Sequence, residues 1–148
     1  MPSGPARLSG SPFPMASDRE QVLAANAAFY RAFAGRDAEA MEHLWSQSED
    51  VVCVHPGWRA LLGRDEVLSS WFAILGNPEA PEVVCHDEEV RVHGDLAFVL
   101  CIEDLPGGEM AATNVFARED GTWRLVHHHA GPIASEDEDD EPPPGLLN

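Results

Sequence analysis

Few side chains in the sequence stand where chemistry would be expected. His55 closes the apolar run 51–55 and is followed at once by Pro56 and Gly57. An imidazole titrates near neutrality, so at that place it could take a proton from an enolisable substrate and return it. A histidine merely hydrogen-bonded at a loop edge would look the same. Glu103 alternates with Cys101 and Val99 on an apolar segment. Facing inward it would be desolvated, raised in pKa and able to act as an acid or to pair with His128; beside Asp104 at a strand end it would be an ordinary hydrated carboxylate. In the run His127, His128, His129, alternate residues 127 and 129 share a strand face with ligand-like spacing. A zinc site needs further ligands, and neither a His-x-Glu nor a cysteine pair is present, so no metal and no cofactor is expected. Cys53, Cys85 and Cys101 are odd in number, have no C-x-x-C spacing and sit in apolar surroundings, which suits reduced core thiols. A glycine-rich phosphate loop, a nucleophile elbow and a Ser/His/Asp order are all lacking, leaving nucleotide use and covalent hydrolysis unsupported.

These side chains must be carried by a small set of elements. Ser17 followed by Glu20 is a capping box, after which Val22, Phe29 and Phe33 recur with helical spacing up to about Gly35. Asp37 caps a short second helix bearing Met41, Leu44 and Trp45. The run 51–55 is a short first strand, and Val67, Leu68, Trp71, Phe72 and Leu75 mark a third helix that ends at Gly76-Asn77-Pro78. Four long segments follow, at roughly 82–93, 95–105, 109–119 and 122–131, separated by His93-Gly94-Asp95, Pro106-Gly107-Gly108 and Asp120-Gly121. Consecutive hairpins make an antiparallel meander. The expected class is α+β, with three N-terminal helices packed on a curved antiparallel sheet that closes into a cone with an internal pocket.

Composition bounds the rest. A chain of 148 residues with 44% apolar content builds one core. Nine basic against 26 acidic residues leave a net charge of -17, which repels phosphates and excludes nucleic acid as a partner. No apolar run approaches the roughly 20 residues of a membrane span, and the first residues lack the apolar core of a secretory signal, so a cytoplasmic location is expected. Residues 1–16 are rich in Pro, Gly and Ser, and residues 135–148 combine a run of acids with three prolines. Both ends are expected to be disordered around a domain at 17–134. The acidic tail would serve as a solubilising segment or recruit a basic partner.

The segments AFYRAFAGRDAEAMEHLW, VVCVHPGWRALLGRDEVLSSW and ATNVFAREDGTWRLVHHHAGP, in the order α-α-β-α-β-β-β-β, resemble a SnoaL-like, ketosteroid-isomerase-like member of the nuclear transport factor 2 superfamily over residues 17–133. The terminal hairpin also resembles the association domain of calmodulin-dependent kinase. The superfamily contains isomerases, cyclases, dehydratases and binding or assembly modules, so the resemblance implies a fold and leaves activity to the pocket. It implies a cavity between helix one, the loop after the first strand, helix three and the concave sheet face. His55 in V-C-V-H-P stands where ketosteroid isomerases carry their catalytic aspartate, and Asn114 stands where they carry an oxyanion-hole acid. Phe29 falls at the isomerase tyrosine, with Tyr30 one position away and able to point its hydroxyl at the cavity rim. The family's parity puts Ala97, Val99, Cys101 and Glu103 inside with Asn114, Phe116, Val126 and His128. Trp123, Leu125, His127 and His129 then lie outside. Phe29, Phe33, Trp58, Trp71, Cys101 and Phe116 are the expected ligand-lining residues. Phe98, Leu100, Ile102, Val115, Trp123 and Leu125 would form an outer apolar face too large to leave open, which implies a homodimer through it. Two functions remain open. One is a dimeric module that binds a small apolar, carbonyl or carboxylate ligand. The other is a cofactor-independent isomerase, cyclase or dehydratase with His55 as base, Asn114 and Tyr30 polarising a carbonyl, and Glu103 with His128 relaying the proton.

Overall fold

The computed structural model describes residues 16–134, so the expectations for the two termini lie outside the described residues. Helix α1 (Asp18–Ala34) starts on the expected capping box: Glu20 N–H donates to Ser17 Oγ at 3.1 Å, and Ser17 N–H to Glu20 Oε1 at 2.9 Å. Its buried face carries Val22, Asn26, Phe29 and Tyr30. Helix α2 (Ala38–Leu44) is capped by the Asp37 carboxylate on Ala40 N–H. Helix α3 (Arg64–Gly76) is entered through Gly63 at φ 92, a conformation that favours a residue without Cβ. It buries Val67, Leu68, Ser70, Trp71 and Leu75. The Arg64 guanidinium donates to the carbonyls of Glu42, Trp45 and Ser46, which fixes the start of α3 against the end of α2. No helix among the described residues is long and apolar enough to cross a membrane.

The strands are β1 (Val52–Val54), β2 (Leu61–Leu62), β3 (Val84–His93), β4 (Leu96–Leu105), β5 (Gly108–Glu119) and β6 (Thr122–Pro132), in the sheet order β2-β1-β6-β5-β4-β3. The last four form the expected meander. The sheet as a whole is mixed, because β1 lies parallel to β6, and it is open rather than closed into a cone. Strand β2 has only two residues, too short to leave a periodic signal.

Parity along β4 is as the family resemblance implies: Ala97, Val99, Cys101 and Glu103 are buried. Along β6 it changes partway. Val115 pairs with His127 but Phe116 pairs with Leu125, so Val126 is an extra residue in a β-bulge. His128 and Ala130 face inward, and beyond the bulge Trp123 and Leu125 do too, both buried in the core rather than lying on the outer face. Trp123 lies beneath Arg118, whose guanidinium carbon is 4.9 Å from the ring centre and which also binds Asp18 and Asp95. The outer apolar surface is correspondingly smaller: Phe98, Ile102 and Val115 are half-buried and Leu100 is exposed. A second bulge in β3, between His86 and Glu89, contains Asp87 at φ 59.

Candidate functional site

Burial divides the polar side chains of this core sharply. His55, Glu103, Asn114, His128, Asn26 and Ser70 are all buried inside a shell of Phe29, Phe116, Trp71 and Val99. Buried polar atoms need partners, and here their partners fix protonation.

His55 leaves the end of β1, and its Nε2 lies 2.9 Å from Ser70 Oγ on α3. The single Ser70 hydroxyl proton goes to the Val67 carbonyl at 2.7 Å, so Ser70 must accept from His55 Nε2–H. That leaves Nδ1 as the unprotonated nitrogen. Burial lowers the His55 pKa to about 4, so the ring is neutral near pH 7.

On β6, His128 Nδ1–H donates to Asn114 Oδ1 at 2.6 Å. The Asn114 amide in turn donates to Asn26 Oδ1 at 2.9 Å and to the Tyr30 hydroxyl at 3.1 Å. His128 therefore carries its free lone pair on Nε2, which faces Glu103 Oε2 at 3.8 Å. Burial, reinforced by the other histidines, lowers its pKa to about 3. Glu103 is shifted the other way: burial raises its carboxyl, partly offset by the hydrogen bond it accepts from Tyr30 at 2.6 Å. The His128–Glu103 contact thus joins a neutral imidazole to a carboxyl inclined to keep its proton, which is not an ion pair. The same burial, with Glu103 alongside, pushes the Tyr30 phenol up, so it stays a donor.

A cavity of about 350 Å3 opens onto this cluster, within the size range of small-molecule sites. His55, Glu103 and His128 reach its wall, as do Phe33, Trp58 and Trp71. Trp58 is 52% exposed at the mouth and meets the His55 ring edge-on at 4.9 Å, while Trp71 meets it at 5.0 Å from within. The other expected residues lie behind the wall. Phe29 packs 5.3 Å from Trp71 and 5.2 Å from His128, and Phe116 and Cys101 are buried in the core, with Cys101 Sγ 3.4 Å from the Tyr30 hydroxyl. Tyr30 and Asn114 do not line the cavity as it stands. Both Asn114 amide hydrogens are already used, so its geometry suits holding His128 and Tyr30 rather than polarising a ligand. Two supporting residues escaped the sequence reading, Ser70 and Asn26. Each is a polar residue on the buried stripe of its helix, at 67/70/71/75 and 22/26/29/33, and that interruption is the signal that could have found them.

Asn114→Ala is expected to leave His128 Nδ1–H and Asn26 Oδ1 without partners and to cost about 1–3 kcal/mol. Urea unfolding measures the loss, and a change of less than a few tenths of a kcal/mol would show that the network is slack. Cys53 lies beside this network, 3.7 Å from His55 Nε2, and burial pushes its thiol up to about 12, so it is no nucleophile near pH 7.

A sequence profile of the SnoaL-like domain matches residues 22–135. Among solved structures, one described as a candidate dehydratase of the NTF2-like family from Streptomyces avermitilis is 41% identical, with a TM-score of 0.74 over 80% of this chain and 97% of that one. Another, described as a candidate calcium/calmodulin-dependent protein kinase type II association domain from Thiobacillus denitrificans, is 31% identical, with a TM-score of 0.71 over 76% of this chain and 94% of that one. The F-box protein SKIP8 of Arabidopsis thaliana is 29% identical over 119 residues, 79% of this chain and 52% of that protein, so the chain spans about half the length of this curated relative. With a profile covering most of its length, helices on one face of the sheet and a polar cluster at the cavity's inner end, the chain belongs to the SnoaL-like domain family and has the NTF2-like fold.

Proposed function

We propose that the domain binds a small, neutral, largely apolar carbonyl compound in this cavity and moves a proton on it without a cofactor, as an isomerase, cyclase or dehydratase does. The supporting observation is the convergence on one cavity wall of two neutral imidazoles with defined lone pairs and a carboxyl inclined to hold its proton. In the proposed step, His55 Nδ1 takes a proton from the carbon next to the carbonyl. The C–H electron pair becomes the C=C bond of the enol, and the Glu103 proton passes to the carbonyl oxygen. A base with a pKa near 4 is weak, so donation by Glu103 has to accompany abstraction. Iminium activation by a side chain is closed to this chain, which contains no lysine. The similarity to a candidate dehydratase supports the same class of chemistry.

The similarity to half of an F-box protein favours a second reading, in which the cavity only binds its ligand. Exchange of α-protons for deuterium in a panel of neutral enolisable ketones, followed by NMR in D2O, separates the two. Exchange above the buffer rate supports catalysis, whereas saturable binding with exchange at the buffer rate would leave a binding module.

The domain is also proposed to pair with a second copy through the outer sheet face, using Phe98, Leu100, Ile102 and Val115. Leu100→Asp is expected to shift the mass in light scattering from dimer to monomer at micromolar concentration. A wild-type monomer at that concentration would end the idea.

A further inference from the structure

The cavity holding His55, His128 and Glu103 adjoins another. Pro81, Leu105 and Met110 line it, and the same three residues line a second cavity of about 610 Å3 at the end of the sheet. Strand register explains why they are neighbours. Met110 pairs with Glu103 on one side and with Pro132 on the other, so the inner carboxyl and the outer groove share one row of the sheet. From His128 to Pro132 is four residue steps along β6, roughly 13 Å at the usual strand rise, a span matched by an extended aliphatic chain of roughly ten carbons. The described walls of the outer groove are apolar or backbone, formed by Pro106, Pro132 and Ile133 with the glycines of the β4–β5 turn, and Glu109 is the one charged residue among the described residues that line it. Among the described residues, neither cavity wall contains an arginine.

We infer that the two cavities form one bipartite site for a neutral ketone bearing an unbranched aliphatic chain, with the carbonyl head at His55 and Glu103 and the chain along the outer groove. This inference rests on the proposed function. Free fatty acids fit poorly, because a carboxylate would be buried among neutral imidazoles, with Glu79 in the same wall and no arginine in either described lining to meet it. Acyl thioesters of phosphate-bearing carriers fit poorly as well, because their anionic arm would approach a chain of net charge -17 along a wall without bases.

The test uses the full chain and a series of 2-alkanones from butanone to decanone, with affinity read by quenching of tryptophan fluorescence. Affinity is expected to rise about fourfold per added methylene across the series, as for burial of CH2 groups. Decanoate is expected to bind about 100-fold more weakly than 2-decanone or not at all. Ile133→Asp, at a residue 40% exposed and remote from the acid–base cluster, should flatten the rise for the longer ketones and leave butanone unchanged. A plateau at five or six carbons, or an undiminished rise in Ile133→Asp, would overturn the bipartite site while leaving the inner cavity's proton chemistry standing. Decanoate binding as tightly as 2-decanone would overturn the neutral ligand class. Failure of every 2-alkanone to bind would overturn both this inference and the proposed function.

Discussion

If the proposed proton transfer holds, His55→Ala is expected to slow ketone α-proton exchange by about 10²–10⁴-fold, the range typical of a positioned general base, while ketone binding should change little. The expectation follows from the tautomer. Ser70 already takes the proton side of the ring, so Nδ1 is the basic lone pair and nothing else in the wall replaces it: His128 Nε2 is turned toward Glu103. Added imidazole should restore part of the rate in the truncated protein, which a loss of folding would not allow. Glu103→Gln keeps the shape and a hydrogen bond with Tyr30 but removes the transferable proton, and it should slow exchange as well. Exchange that survives in His55→Ala would remove His55 as the base.

Acid should loosen the fold well above the pH at which carboxylates ordinarily matter. His55 and His128 are both held neutral by burial, with pKa values of about 4 and about 3 against an ordinary 6.5. Between these values the unfolded chain binds more protons than the folded one, so stability rises with pH there. The contribution is complete above about pH 6.5 and is lost as pH falls through the folded values. For His55 alone the depression corresponds to about 3 kcal/mol, and His128 adds to it. Glu103 has the opposite sign. Its raised carboxyl favours the fold below the ordinary carboxylate range, and that contribution fades as pH climbs through the folded value. Acidification also relieves the mutual repulsion of the many surface carboxylates. The clean measurement is therefore a difference: urea unfolding of wild type and His55→Gln at pH 7 and pH 5. The wild type should lose more stability than the variant on going to pH 5. Equal losses would mean that His55 is hydrated in solution.

Several of these features were legible in the sequence because the local pattern was undisturbed. Strand β4 alternates without a bulge, so the parity that the family resemblance implied holds as far as Glu103, which takes the inward one of the two placements left open for it. The capping box of α1 and the glycine turns set the element order in the same way. Strand β6 was different: one extra residue at Val126 reverses parity, so Trp123 and Leu125 go into the core although counting by twos from His128 puts them outside. The role of Asn114 was hidden for another reason. An amide's partners are set by packing between α1 and the sheet, and Asn26 lies 88 residues away in the chain. Sequence can mark both as polar residues on buried faces, but it cannot say that they satisfy one another.

The parallel pairing of β1 with β6 also bears on how the domain assembles. It joins Val52 to His127 and Cys53 to His128, and His127 Nδ1–H donates across 75 residues of chain to the Val52 carbonyl at 3.0 Å. The meander, by contrast, is built from hairpins between neighbours in sequence. Contacts of high sequence separation close large loops and form late, and β1 and β2, with three and two residues, have few hydrogen bonds with which to hold that closure. The strand that delivers His55 is then expected to dock late and to detach early in the native ensemble. Amide hydrogens of β1 should exchange through local opening well before those of β4 and β5, and each such opening separates His55 from Glu103 without unfolding the sheet.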